Sequence, residues 1–290
     1  MSRPVGGAQV VLDEPGDAVP AALRTALHGL GRLGVAYSGG VDSSVLLAAA
    51  VRTLGTESVI AILGISPSLS EDEHREALHT ARVIGATVVE LQTFEGDRPE
   101  YRRNGPDRCF FCKDELFGRI DTDLVHRHRL DAVAYGENAD DVARIDRPGA
   151  GAATAHRVLR PLAEAGLDKA AVRRLARSWS LPSADKPAAP CLASRIPHHH
   201  EVTPEKLGQI EAAEAALHRL GFADLRVRHH GDIARIELPA ADLVRAVADP
   251  LRQQIRRAVL DAGFRYATVD LGAMQSGAFT LTVLRRDDGG

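Results

Sequence analysis

The chain of 290 residues is poor in cysteine, with three in all, and has no long apolar run. Its longest apolar stretch, around Val45 to Val51, is broken by Arg52, well short of the ~20 residues needed to cross a bilayer. Charge of one sign is missing as well. There are 36 basic residues against 39 acidic ones, a net charge of -3, so no global field points to nucleic acid or to an anionic membrane surface, and neither partner is expected. The first twenty residues are rich in Gly, Pro and Asp and lack a charged start, an apolar core and a small-residue cleavage site. A cytoplasmic location is expected. In that reducing compartment three cysteines do not make a disulfide framework, and a chain long enough for a domain of about 150 to 200 residues plus a smaller one needs no staples. Internal repeats and low-complexity blocks are also lacking.

What is present first is an alternation. After a lead-in over residues 1–20, with helical character from Ala21 to Gly29, "RLGVAY" reads as a buried strand and "VDSSVLLAAAVRTLG" as a helix stopping at Gly55. "SVIAILGI" is a second strand, "SEDEHREALHTARVIG" a second helix, and "TVVEL" a third strand. Ser70 followed by Glu73 fits a capping box, and Gly55 and Gly85 fit left-handed helix stops. A helix beginning near Lys113 precedes a fourth strand, "DAVAYG". This pattern predicts an α/β fold with a parallel sheet and ligands at the carboxyl ends of its strands. A basic amphipathic helix is expected over Asp168–Leu181, and the four prolines of "PSADKPAAPCLASRIP" predict an ordered loop or hinge rather than regular structure. Then the pattern changes. A long helix from Pro204 to Leu220, strands "DLRVRHH" and "IARIEL", helices over Ala240–Ala248 and Pro250–Ala262, and strands "YATVDL" and "AFTLTVL" read as a smaller α+β domain. The expected domains are residues 21–196 and 197–290.

"AYSGGVDSS" lies between the first strand and its helix, where Gly39 and Gly40 allow a tight turn whose N–H groups face an anion. Ser38, Ser43 and Ser44 add hydroxyls, and Asp42 either caps the helix or joins the site. A Walker-type lysine is absent, which disfavours γ-phosphate transfer. Alone, the stretch also fits a plain strand-to-helix turn. The full S-G-G-x-D-S resembles the pyrophosphatase loop of enzymes that leave AMP on a substrate oxygen, such as GMP synthetase, NAD synthetase and the tRNA thiolases. That resemblance implies ATP with magnesium. "YGENADD" follows the fourth strand, so Glu137, Asn138, Asp140 and Asp141 belong at the same sheet edge as magnesium or nucleotide contacts, or else form a polar loop that satisfies its own backbone.

Cys109 and Cys112 form the C-x-x-C of "RCFFCK", and Cys191 stands alone in "PCLASR". The pair alone fits a redox couple, half a zinc site or part of an iron–sulfur site, and three unrelated buried thiols are the plain alternative. His198, His199 and His200 follow closely, as a solvated loop or as the source of a fourth ligand. Arg226 and Arg228 alternate on one strand with Arg235 and Glu237 on the next, which suits either a phosphate grip or an exposed charge-alternating strand.

"SGGVDSS", "RCFFCK", "GENADD", "RPG", "DKPAAPCLASRIP" and "RVRHHGDIARIE" occur in an order that resembles the LarE sulfur transferases over about residues 20 to 280. The resemblance implies a PP-loop domain with a smaller C-terminal domain, in a homo-oligomer, a hexamer. It further implies ATP-dependent adenylation of a pyridinium dicarboxylate mononucleotide and replacement of the activated oxygen by sulfur, a step toward the nickel-pincer cofactor. In one branch the cysteine of C-L-A-S-R gives up its own sulfur; in another the three cysteines hold a [4Fe–4S] cluster. With Cys109, Cys112 and Cys191 all present, this chain resembles the second. Ser38, Gly39, Gly40, Asp42, Ser43, Ser44, Glu137, Asn138 and Asp141 are then the expected ATP contacts, and Arg226, Arg228 and Glu237 the substrate-phosphate contacts. Gln275 replaces an arginine that relatives tend to carry, and three histidines replace a Tyr-Gly. A tRNA thiolase, an ammonia-using synthetase and a zinc-holding regulatory module are the rival readings. The near-neutral charge weighs against the first, and the second leaves the cysteines without a role.

Overall fold

The computed structural model describes residues 18–142, 148–187, 190–272 and 274. Four parallel strands, β1 (Leu33–Tyr37), β2 (Val59–Ile65), β3 (Thr87–Gln92) and β4 (Ala132–Tyr135), lie in the order β3-β2-β1-β4. Leu159 adds a one-residue parallel bridge at Ala134. Strands buried on both faces must be apolar throughout. In β2 the two faces separate with the pleat: Val59, Ala61 and Leu63 join a core with Leu33, Val35, Val45, Leu46 and Leu47, while Ile60 and Ile62 join one with Phe117, Ile120 and Leu124.

The chain steps from β1 out to β2 and β3, then returns to place β4 on the other side of β1. The order reverses between β1 and β4, and the crevice beyond their carboxyl ends is where ligands of such sheets bind. "SGGVDSS" leaves β1 and "GENADD" leaves β4 at this point.

Helix boundaries follow local chemistry, with instructive departures. Ser70 Oγ accepts from Glu73 N at 3.3 Å. The reciprocal half of the box is diverted, because Glu73 accepts from Lys186 Nζ at 2.6 Å. Gly85 takes the left-handed stop with φ 81 and ψ 20, but Gly55 has φ 86 and ψ 154, an extended corner that essentially only glycine occupies. The helix capped by Asp168 runs Lys169–Ser178 and stops before Leu181, where Trp179 packs into the core and Ser180 turns to φ 52. The helix expected near Lys113 starts earlier and spans Arg108–Arg119, so both cysteines of "RCFFCK" sit in its first turns, one turn apart.

The smaller sheet joins β5 (Arg226–His230) antiparallel to β6 (Ile233–Glu237), and β7 (Tyr266–Val269) parallel to β6. The helices Pro204–Arg219, Ala240–Val247 and Leu251–Asp261 flank it. Its core contains Leu207, Ile210, Phe222, Val227, Ile236 and Val259, and also Tyr101, Leu192, Ala193 and Ile196 from the earlier part of the chain. The proline-rich stretch is therefore irregular only in part: Leu192–Arg195 forms a 3-10 turn plugged into this second core. The final strand "AFTLTVL", Gln275 and Arg147 of "RPG" lie outside the described residues. Among those described, no helix is long and apolar enough to cross a membrane.

Candidate functional site

The turn after β1 depends on close approach. Gly39 has φ 74, and a Cβ there would stand 2.7 Å from Ala77 Cβ. Ser43 ties the turn together: its Oγ accepts from Ser38 N at 3.3 Å and donates to Gly40 O at 3.0 Å. Ser38 is exposed, while Ser44 is fully buried beneath the turn. The β4 loop presses directly on this helix start, since a Cβ on Gly136 would meet Ser43 N at 2.6 Å and the carbonyl carbon of Asp42 at 2.8 Å. Gly136→Ala is accordingly expected to lower stability by about 1–3 kcal/mol through overpacking. A shifted urea midpoint at unchanged slope checks this.

The carboxylates of "GENADD" are organised. Asn138 Nδ2 donates to Asp42 Oδ1 at 3.2 Å and to Asp141 Oδ2 at 2.9 Å. Lys169 Nζ meets Asp42 Oδ2 at 2.6 Å, and Lys169 N donates to Asp140 Oδ2 at 2.9 Å. Glu137 differs. It is 1% exposed, neither carboxylate oxygen has a hydrogen-bond partner, and the nearest cation, Arg160 Nε, is 3.5 Å away. A buried carboxylate left so bare at a sheet switch point suits a cation or a nucleotide group.

The cysteines come together from distant segments. Cys191 and Cys109 both act on the charge of Arg108, and Cys112 feels Cys191, Cys109 and Arg108. Burial pushes the Cys112 thiol well above its usual range, and the buried carboxylate of Glu95 pushes it further. Cys109 and Cys191 are exposed. Among the described residues no group of three His, Cys, Asp or Glu side chains is arranged to hold a single metal ion as placed. The histidine run is held at its main chain: His199 N donates to Asn104 O at 3.0 Å, and Asn104 Nδ2 donates to His200 O at 3.0 Å.

The Cys191 loop is fastened on two sides. Leu192 N donates to Ser68 O, at 3.0 Å, in the segment after β2. Arg228 Nη1 donates to Ser194 O at 2.9 Å, and Arg195 Nη1 reaches Pro190 O and Cys191 O. The strand that alternation alone would leave solvent-exposed is buried: Arg226, Arg228 and Glu237 are 6%, 3% and 3% exposed. Glu237 accepts from Arg228 Nη2 at 2.8 Å and pairs with Arg235 Nη1 at 3.0 Å, so its carboxylate orients both guanidiniums. Glu214 does the same for Arg195, at 2.9 and 3.1 Å. Burial lowers the Arg226 pKa, and the neighbouring charges of Arg228 and Arg195 lower it further. Arg195, Arg226 and Arg228 are thus buried close enough to feel one another's charge, and a guanidinium cluster of this kind suits a phosphate.

Sequence reasoning missed Arg108, Asn104, Glu95, Lys169, Arg195 and Glu214. The signals for two were in view, because Arg108 directly precedes Cys109 and Arg195 closes "CLASR". The others are recruited across the fold.

The sheet order, the glycine turn at its switch point and the appended smaller sheet define the class, a PP-loop-type α/β domain joined to a C-terminal α+β domain. No family model matches the chain. It is 34% identical, over 91% of its length and 95% of the relative's, to the pyridinium-3,5-bisthiocarboxylic acid mononucleotide synthase of Lactiplantibacillus plantarum. It is 40% identical to an uncharacterized protein of Synechocystis sp., over 88% of this chain and 94% of that one. With an uncharacterized protein of Methanocaldococcus jannaschii it shares 28% identity over 83% of this chain and 90% of the other. The chain belongs to the family of that synthase, the LarE family.

Proposed function

We propose that this protein is an ATP-dependent sulfur transferase of nickel-pincer cofactor biosynthesis. It adenylates a carboxylate of pyridinium-3,5-biscarboxylic acid mononucleotide and converts it to the thiocarboxylate. A carboxylate oxygen attacks the α-phosphorus of ATP and pyrophosphate leaves. A sulfide equivalent then adds to the acyl carbon, the bond to the AMP oxygen breaks, AMP takes the electron pair, and the sulfide's proton goes to solvent. No oxidation state changes.

The observation that carries this reading is the position of the Cys191 loop, fastened to the sheet side through Ser68 and to the buried arginines of β5 through Ser194. Sulfur, activated carboxylate and substrate phosphate would meet around it. The name of the 34% identical relative supports the mononucleotide as substrate. In this reading Ser38, Gly39, Gly40 and Ser43 receive the departing pyrophosphate. Glu137 offers hard carboxylate oxygens of the kind a phosphate-bound magnesium takes, and those oxygens have no hydrogen-bond partner. Arg226 and Arg228 hold the substrate phosphate.

Cys109, Cys112 and Cys191 would hold the cluster that the three-cysteine resemblance implies. Cys109, Cys112 and Cys191 all interact electrostatically with the buried guanidinium of Arg108, a positive charge that suits an anionic group. A [4Fe–4S] cluster, if held by these thiolates, would supply iron that can carry the sulfide to be transferred. A homo-oligomer, a hexamer by resemblance, belongs to the same reading.

The test uses protein purified without oxygen and given ATP, magnesium, the mononucleotide and sulfide. Equal release of pyrophosphate and AMP, with a product in which one sulfur replaces one oxygen, is expected. No pyrophosphate in the presence of substrate overturns the adenylation step. Iron at about four per chain, lost in Cys109→Ala, supports the cluster. Sulfur transfer without iron, leaving Cys191 as dehydroalanine, makes that residue a sacrificial donor instead.

A further inference from the structure

Arg108 is a buried cation. Its side chain is 7% exposed, and its Nη1 donates to two neutral acceptors, Asn104 Oδ1 at 2.6 Å and Ala193 O at 2.9 Å. Among the described residues no carboxylate pairs with it. Two other deeply buried arginines of the site differ in this respect: Arg195 pairs with Glu214, and Arg228 with Glu237. An uncompensated guanidinium removed from water is costly, and it persists where an anion completes it. Cys191 and Cys109 are the groups that act most on the charge of Arg108 after its burial, followed by Tyr101.

The guanidinium is also held in place. Asn104 is fully buried, and its Nδ2 donates to Ile196 O, Pro197 O and His200 O at 3.2, 2.8 and 3.0 Å. Those three carbonyls fix the amide's orientation and leave Oδ1 for Arg108. Ala193 O comes from the turn that follows Cys191. The positive charge is thus anchored at once to the helix bearing Cys109 and to the loop bearing Cys191. Glu95, 3% exposed, acts on Cys112 and Tyr101 from within the same buried region.

We propose that Arg108, clamped by Asn104 and Ala193 O, is a positioning residue whose fixed charge holds the anionic sulfur carried between Cys109 and Cys191. The proposal rests on the sulfur-transfer reading only for the identity of that anion. Its test needs neither ATP, nor metal, nor substrate, so it stands or fails separately from that reading.

Reduced, metal-free full-length protein is alkylated with iodoacetate, an anion, or with iodoacetamide, its neutral analogue, and the rates at Cys109 and Cys191 are read by peptide mass. The ratio of the two rates cancels the thiolate fraction and reports the local field. A single positive charge near the sulfur favours the anionic reagent by about fivefold. Arg108→Gln should remove that preference, and Arg108→Lys, which keeps the charge, should retain most of it. Equal ratios in wild type and Arg108→Gln overturn the proposal. Equal loss in a folded Arg108→Lys variant also overturns it, because the role would then be structural. If Arg108→Gln does not fold, the wild-type ratio is followed from about 0.05 to about 1 M salt, over which the Debye length falls severalfold. A ratio that falls toward unity supports the fixed charge, and an unchanged ratio overturns it.

Discussion

Cys191→Ala is expected to abolish thiocarboxylate formation, by on the order of 10³-fold or more, while pyrophosphate release driven by the mononucleotide continues within about twofold. The separation follows from where the residue sits. Cys191 is exposed on a loop that hangs between Ser68 and the β5 arginines, and among the described residues the glycine turn after β1 is tied by its own Ser38–Ser43–Gly40 bonds. Ala keeps the main-chain bonds from Arg195 and to Ser68, so the loop stays in place. Simultaneous measurement of AMP and thiocarboxylate reads the split. Loss of both products together would mean that Cys191 supports adenylation, contrary to the expectation. Cys109→Ala is the informative companion: a single residual turnover there, with Cys191 consumed, points to sacrificial donation.

Arg228→Ala carries the largest expected cost in stability. Its side chain is 3% exposed and joins Glu237 at 2.8 Å and Ser194 O at 2.9 Å. Removing one member of a buried pair leaves a desolvated charge behind, a loss of about 3–5 kcal/mol. Arg235, 3.0 Å from the other Glu237 oxygen, keeps the loss toward the lower end. Urea unfolding with unchanged slope measures it. Where the variant is still folded, a second effect is expected: KM for the mononucleotide rises by about 10- to 100-fold, the range of a lost charge-assisted phosphate contact, while KM for ATP stays near its original value. Equal increases for both substrates would assign Arg228 to loop support alone.

How far the molecule was legible in advance depends on range. The glycine turn, the alternation of strands and helices, the Ser70 cap and the Gly85 stop arise from neighbours within a few residues, and the fold keeps them. Arg226 and Arg228 were visible as a same-face pair, but their burial was not, because a strand's alternation is the same whether its polar face meets water or a loop. The start of the Arg108–Arg119 helix was misplaced for a related reason. Its first turn is anchored by a side chain that reaches Asn104 and Ala193, the latter 85 residues away.

The sequence by itself determined the chemical inventory: a glycine turn without a Walker lysine, a C-x-x-C, a third cysteine among prolines, and paired arginines. Tertiary structure decided which of these meet. The switch point between β1 and β4 sets Asp42 beside Asn138, and brings Lys169 to Asp42 across 127 residues. The second core, by taking in Leu192, Ala193 and Ile196, carries Cys191 to Arg108 and to the β5 arginines. Long-range pairing of this kind is set by burial, since a charge or a carbonyl removed from water takes whichever partner the packed core leaves within reach, and no local pattern records that choice.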